Sequence, residues 1–180
     1  MARAFPALVS AVCAVCGLTL RAAPPAPSAS GSVRPLHPVL ADAYEAGRQR
    51  SPTFEHLAAR IAELKGIVHV DFSEVLPRGT EACMPHWIAG GETRYVRILI
   101  KNGIAGERLV VVFGHELQHV VEALEDATVV DATTMRGRFA HLAGKGSPRD
   151  STEPLETAQA VAVERRIAIE LSEWRRMGVR

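Results

Sequence analysis

His115 and His119 stand four residues apart in FGHELQHVVEAL (113–124), with Glu116 directly after the first. On a helix that spacing is one turn, about 6 Å of rise, so both imidazoles lie on one face. Two imidazole nitrogens so placed can bind one zinc ion at about 2.0–2.1 Å. Glu116 is turned about 100° from His115, where it reaches a water on the metal rather than the metal itself. Zinc lowers the pKa of such a water to about 7, and a carboxylate beside it can take the proton. Residues of these types in this order point to metal-assisted hydrolysis, with His115 and His119 as ligands and Glu116 as general base.

The setting strengthens the reading. Val110, Val111, Val112, Phe113, Leu117, Val120, Val121 and Leu124 surround the three polar residues. Two imidazoles and a carboxylate buried among them without partners would cost several kcal/mol, and a metal ion relieves that cost. The stretch 107–125 is apolar nearly all round, which predicts a central helix.

A hydrolytic zinc needs three protein ligands and one open position. The downstream candidates are Asp126, Asp131, His141, Glu153, Glu156 and Glu164. The last helix is expected over 151–178, capped by Ser151 or Thr152, with Arg175 and Arg176 at its end to suit the helix dipole. At about 100° per residue, Ala160, Val163, Ile167, Leu171 and Trp174 fall within about 60° of Glu156, while Glu164 lies about 80° away. Glu156 thus falls in the middle of an apolar stripe, where a carboxylate calls for a cation. It is the third ligand expected, with His141 next.

The remaining elements must position this site. Residues 39–50 form a short helical candidate. SPTFEHLAARIAELKG (51–66) is a stronger one, with Ser51 as cap, Pro52 in the first helical position, Gly66 as stop, and Phe54, Leu57, Ile61 and Leu64 as its apolar stripe. IVHVDF (67–72) and RYVRILIK (94–101) alternate as strands, whereas 76–93, rich in Pro and Gly, reads as loop. A weak short helix is expected over 131–142. The whole predicts an α+β domain, a two- to three-stranded sheet packed on the zinc helix and a long C-terminal helix.

The chain has 180 residues, 47% of them hydrophobic and 23% charged, with a formal net charge of +1. That is enough apolar material for one core, and no basic block argues for nucleic acid. Residues 1–23 read as an export signal, with a basic start and an apolar run over 5–20 that is short for a membrane span. An uncleaved anchor is the alternative. Residues 24–37, rich in Pro, Ala and Ser, read as a tether, and 38–180 as the folded domain. The expected location is periplasmic or secreted. Cleavage leaves Cys83 as the sole cysteine, a packed small residue rather than a nucleophile.

HELQH followed by a helix carrying a glutamate resembles the gluzincin branch of the zinc metallopeptidases, the thermolysin type. The chain also resembles a small family of exported bacterial proteins, through RSPTF (50–54), RYVRI (94–98), GHELQH (114–119) and ET with following alanines (156–162). The resemblance implies a zincin-like fold, Zn2+ held by His115, His119 and Glu156, Glu116 as base, and a peptide or protein substrate. It further implies a strand edge that holds an extended peptide, for which RYVRILIK is the candidate, an ordinary paired strand being the equal alternative. One departure stands out. Gluzincins often carry an acidic residue one turn after the glutamate ligand to orient the first histidine, and here that place is Ala160. Either Asp126 or Asp131 serves instead, or that support is missing. His141, His86 and Tyr95 are the candidate oxyanion donors. The alternative to an enzyme is a zinc-stabilised binding or scaffold module of the cell envelope without turnover.

Overall fold

The computed structural model describes residues 31–90, 92–143 and 156–178, and for 86–90 the backbone alone. The expected signal peptide and most of the expected tether lie outside the described residues. Among those described, the chain is α+β. A mixed sheet of four strands, rather than the two or three expected, is formed by β1 (Val33–Pro35), β2 (Gly66–Ser73), β3 (Ala82–Gly90) and β4 (Thr93–Lys101). Five helices accompany it: α1 (Pro38–Arg50), α2 (Pro52–Glu63), α3 (Gly106–Leu124), α4 (Ala132–Leu142) and α5 (Ala158–Gly178). None of these is long and apolar enough to cross a membrane.

The sheet order is β1-β2-β4-β3. The first three strands run parallel and β3 is antiparallel to β4. Three expectations change here. Val33–Pro35, at the end of the expected tether, pairs with β2. The stretch 76–93, expected as loop, contains β3. Most consequentially, β4 lies between β2 and β3, so RYVRILIK is not an edge. Its alternation marks one buried face and says nothing of what pairs on either side. The edge beyond it is β3, which lies against α3 and α4, and β1 forms the other edge.

Alternation does place the core. Val68 and Val70 of β2 and Val96, Ile98 and Ile100 of β4 are buried on one sheet face. Helix α3 packs against this layer and against α1, α2 and α5. Every residue from Leu109 to Leu124 is buried, as an all-round apolar sequence demands. At its far end, Arg94 of β4 donates to the carbonyls of Ala123, Leu124 and Asp126, supplying both hydrogen bonds and positive charge where the helix dipole is negative.

Helix α2 begins as its sequence dictates. Ser51 Oγ accepts from Phe54 N at 3.1 Å, and Phe54, Leu57 and Ile61 are buried. Its stop differs from expectation. Lys65 takes the left-handed conformation (φ 56°), and Gly66 already belongs to β2. Gly66 is needed for another reason, since a Cβ there would stand 2.5 Å from Leu124 Cδ1.

Helix α5 starts at Ala158, later than its sequence suggests, and Thr157 caps it: Thr157 Oγ1 accepts from Ala160 N at 3.1 Å. The expected caps Ser151 and Thr152 lie outside the described residues. Ala160, Val163, Ile167 and Leu171 form the buried stripe, whereas Trp174, expected on it, is 46% exposed. Gly114, the residue before His115, permits the approach of this stripe. A Cβ at Gly114 would lie 2.2 Å from Ile167 Cδ1.

Candidate metal centre

His115 and His119 face the same side of α3, their ring centroids 4.9 Å apart. Glu156 joins them from the residue pair that leads into α5. One ligand atom from each of the three lies within 4.8 Å of the other two. Glu156 does not occupy the α5 stripe, because the helix has not yet begun. It reaches the histidines from the segment before the cap, with Oε2 3.1 Å from His115 Nε2. The expected trio is therefore together, by a route other than the one the helical geometry suggested.

The remaining ring nitrogens are both engaged. His115 Nδ1 donates to Glu164 Oε2 of α5 at 3.1 Å, and His119 Nδ1 donates to Glu122 Oε2 of α3 at 3.1 Å. This fixes each ring and leaves each Nε2 for the space shared with Glu156. A carboxylate on the far nitrogen is the usual support for a metal-bound histidine. The donor set therefore suits zinc: two imidazole nitrogens and one carboxylate oxygen.

The supporting carboxylates are themselves held. Glu164 Oε1 accepts from Arg108 at 2.6 Å, and Arg108 also pairs with Glu81 ahead of β3. Glu122 Oε1 accepts from Thr157 Oγ1 at 2.8 Å and from Gln118 at 3.3 Å. Each carboxylate thus uses one oxygen for a histidine and the other for a contact that joins α3 to α5 or its cap.

Neither support was expected. Asp126 instead accepts from Thr128 N and Oγ1 and pairs with Arg138, and Asp131 caps α4 through Thr134 N at 2.8 Å. Glu164, a candidate ligand by sequence, stands behind His115 rather than beside Glu156. Of the other candidates, His141 is exposed on α4 and Tyr95 is 42% exposed on the sheet face opposite Val96. Neither lines the recesses beside Glu116. Glu153 and the His86 side chain lie outside what is described.

Glu116 is buried and accepts no hydrogen bond from the described residues. Burial pushes its carboxyl above the ordinary range, offset in part by His119 and His115 and reinforced by Glu156. A carboxyl with a raised pKa is suited to taking and returning a proton. For His115 burial works toward a lower pKa, but the hydrogen bond to Glu156 and the charges of Glu116, Glu156 and Glu164 outweigh it and raise the value. His115 in turn holds Glu156 below the usual carboxylate range.

Two recesses flank the Glu116 and Glu156 carboxylates. One, of about 290 Å³, passes His119 and is lined largely by apolar groups, among them Ala82, Met84, Met135 and Phe139. The other, of about 630 Å³, passes His115 and carries more charged groups, with Glu81, Arg108 and Glu164 on its walls. Cys83 lines the first. Burial and the Glu116 charge raise its thiol pKa, so it is no activated nucleophile.

No protein-family model, curated protein or solved structure matches the chain.

Proposed function

We propose that this chain is a zinc-dependent hydrolase with a zincin-like domain, and within that class an exported metallopeptidase. One observation carries the reading. His115 and His119 of α3 meet Glu156, distant in sequence, beside a buried carboxylate, Glu116, that accepts no hydrogen bond from the described residues. His115 and His119 would hold the ion through Nε2, and Glu156 through a carboxylate oxygen. When bound there, zinc supplies Lewis-acid chemistry that polarises a carbonyl and acidifies water to a pKa of about 7.

The residues of the chain do the rest. Glu116 takes one proton from the attacking water as its oxygen bonds to the scissile carbonyl carbon. The same carboxyl then returns that proton to the amine nitrogen as the C–N bond breaks. Glu164 and Glu122 keep the two imidazoles turned to the ion. β3, at the sheet edge beside the apolar recess, offers main-chain groups to an extended peptide, and the recess takes an apolar side chain. Export rests on the sequence of residues 1–23 alone.

Metal analysis and peptide cleavage test this together. The purified chain should carry one zinc and cleave members of a mixed peptide library. Glu116→Gln should keep the zinc and lose cleavage by a factor of at least about 100, the scale of a general base. A wild type that takes up no zinc on reconstitution overturns the proposal. Zinc uptake without cleavage by the wild type would leave the non-catalytic zinc-stabilised module in its place.

A further inference from the structure

Glu156 is the ligand with the least fold around it. It precedes α5 and its side chain is 56% exposed. What anchors it is its neighbour. Thr157 is only 2% exposed, and its hydroxyl makes two bonds at once. It accepts from Ala160 N at 3.1 Å, which starts α5, and donates to Glu122 Oε1 at 2.8 Å, which docks that start on α3. A hydroxyl has one proton and two lone pairs, so both bonds are satisfied together. The carboxylate it meets is the one that orients His119.

We infer that Thr157 is a positioning residue for metal binding, locking Glu156 in register with His119 through Glu122. The inference rests on the reading of His115, His119 and Glu156 as zinc ligands. A single buried carboxylate thereby sets both the ring of the second histidine and the backbone beside the third ligand. Zinc–ligand bonds tolerate only about 0.2 Å of departure, whereas successive Cα atoms are about 3.8 Å apart. A slip of one residue at 157 would move the backbone beside Glu156 by far more than that tolerance. A plain helix cap would stabilise α5 without this effect on the metal, so metal affinity separates the two roles.

The test is zinc affinity of the full chain, by competition with a chromophoric chelator, beside thermal melting of the zinc-free protein. Thr157→Val keeps the shape and removes the hydroxyl, and should weaken zinc binding about 10- to 100-fold. Thr157→Ser keeps both bonds and should restore it. Ser51→Ala, which removes the buried cap of α2 and its bond to Glu170, is the control. It should lower the melting temperature and leave zinc affinity at the wild-type level. Should Thr157→Val fail to fold, Glu122→Gln tests the same link, because one amide oxygen cannot accept from both His119 and Thr157. It too should weaken binding. Wild-type zinc affinity in Thr157→Val, or in Glu122→Gln where the former does not fold, overturns the positioning role and leaves the three-ligand reading standing. A wild type that binds no zinc overturns both.

Discussion

Glu164 accepts from His115 Nδ1 at 3.1 Å while its other oxygen pairs with Arg108 at 2.6 Å. The pair gives the Nδ1 proton of His115 a partner and turns Nε2 toward Glu156, so Nε2 is the nitrogen that would bind a metal once its own proton leaves. Arg108 lies on α3 two turns before His115, so the contact closes a loop between α3 and α5. Glu164→Ala should therefore weaken zinc binding about 10- to 100-fold. Glu164→Gln should fall between, since its amide oxygen can still accept from Nδ1 but loses the charge that holds Arg108. Equilibrium competition for zinc checks both, and wild-type affinity in Glu164→Ala would remove this carboxylate from the site.

The position of Glu164 shows where sequence spacing stops being informative. The residue one turn after Glu156 is Ala160 only in the sense of counting. Helix α5 begins at Ala158, so residues before it do not share its angular frame. The carboxylate that reaches His115 stands one turn beyond Ala160. The same error of frame put Glu156 on the buried stripe of α5, yet the residue lies against the histidines. Glu122, three residues after His119 on the same helix, was readable from the i,i+3 rule alone. By contrast, α2 and α3 were legible because the Ser51 cap, Pro52 and an all-round apolar run are local signals. β3 was not, because Pro85 and the glycines of 76–93 read as loop. Pro85 falls in the irregularity between Cys83 and His86 of an edge strand, a place where proline is tolerated. Strand order was hidden for a further reason: alternation reports burial of a face, and only tertiary pairing puts β4 in the interior of the sheet.

The apolar recess gives a prediction about substrate choice that is separate from metal binding. Ala82, Met84, Met135 and Phe139 line it beside His119 and Glu116. Full burial of a Leu or Phe side chain is worth about 1.5–3 kcal/mol, or roughly a tenfold to hundredfold preference in kcat/KM. A peptide library should show an apolar preference at one position next to the cleaved bond. Met135→Asp should erase most of that preference without changing zinc content. Cleavage with no apolar preference in the wild type would show that this recess does not read the substrate.

Acid stability provides a test of the scaffold away from the histidines. Glu170 of α5 is buried and accepts from Ser51 Oγ at 2.5 Å, from Thr53 Oγ1 at 2.8 Å and N at 3.2 Å, and from Arg166 at 2.9 Å. Burial alone would raise its pKa, but Ser51, Thr53 and Arg166 together hold it below the ordinary carboxylate value. A carboxyl whose pKa is lowered by folding stabilises the fold when ionised. The contribution is complete above the unfolded pKa of about 4.3 and is lost as pH falls through the lower folded value. Glu170→Gln should cost about 1–3 kcal/mol at pH 7, the scale of hydrogen bonds to a buried charged group. The difference from wild type should narrow steadily once the pH drops below the ordinary carboxylate range. Thermal melts from pH 7 down to the acid limit of solubility measure this directly. Parallel curves for the two proteins across that range would mean that Glu170 does not couple α5 to the start of α2 through its charge.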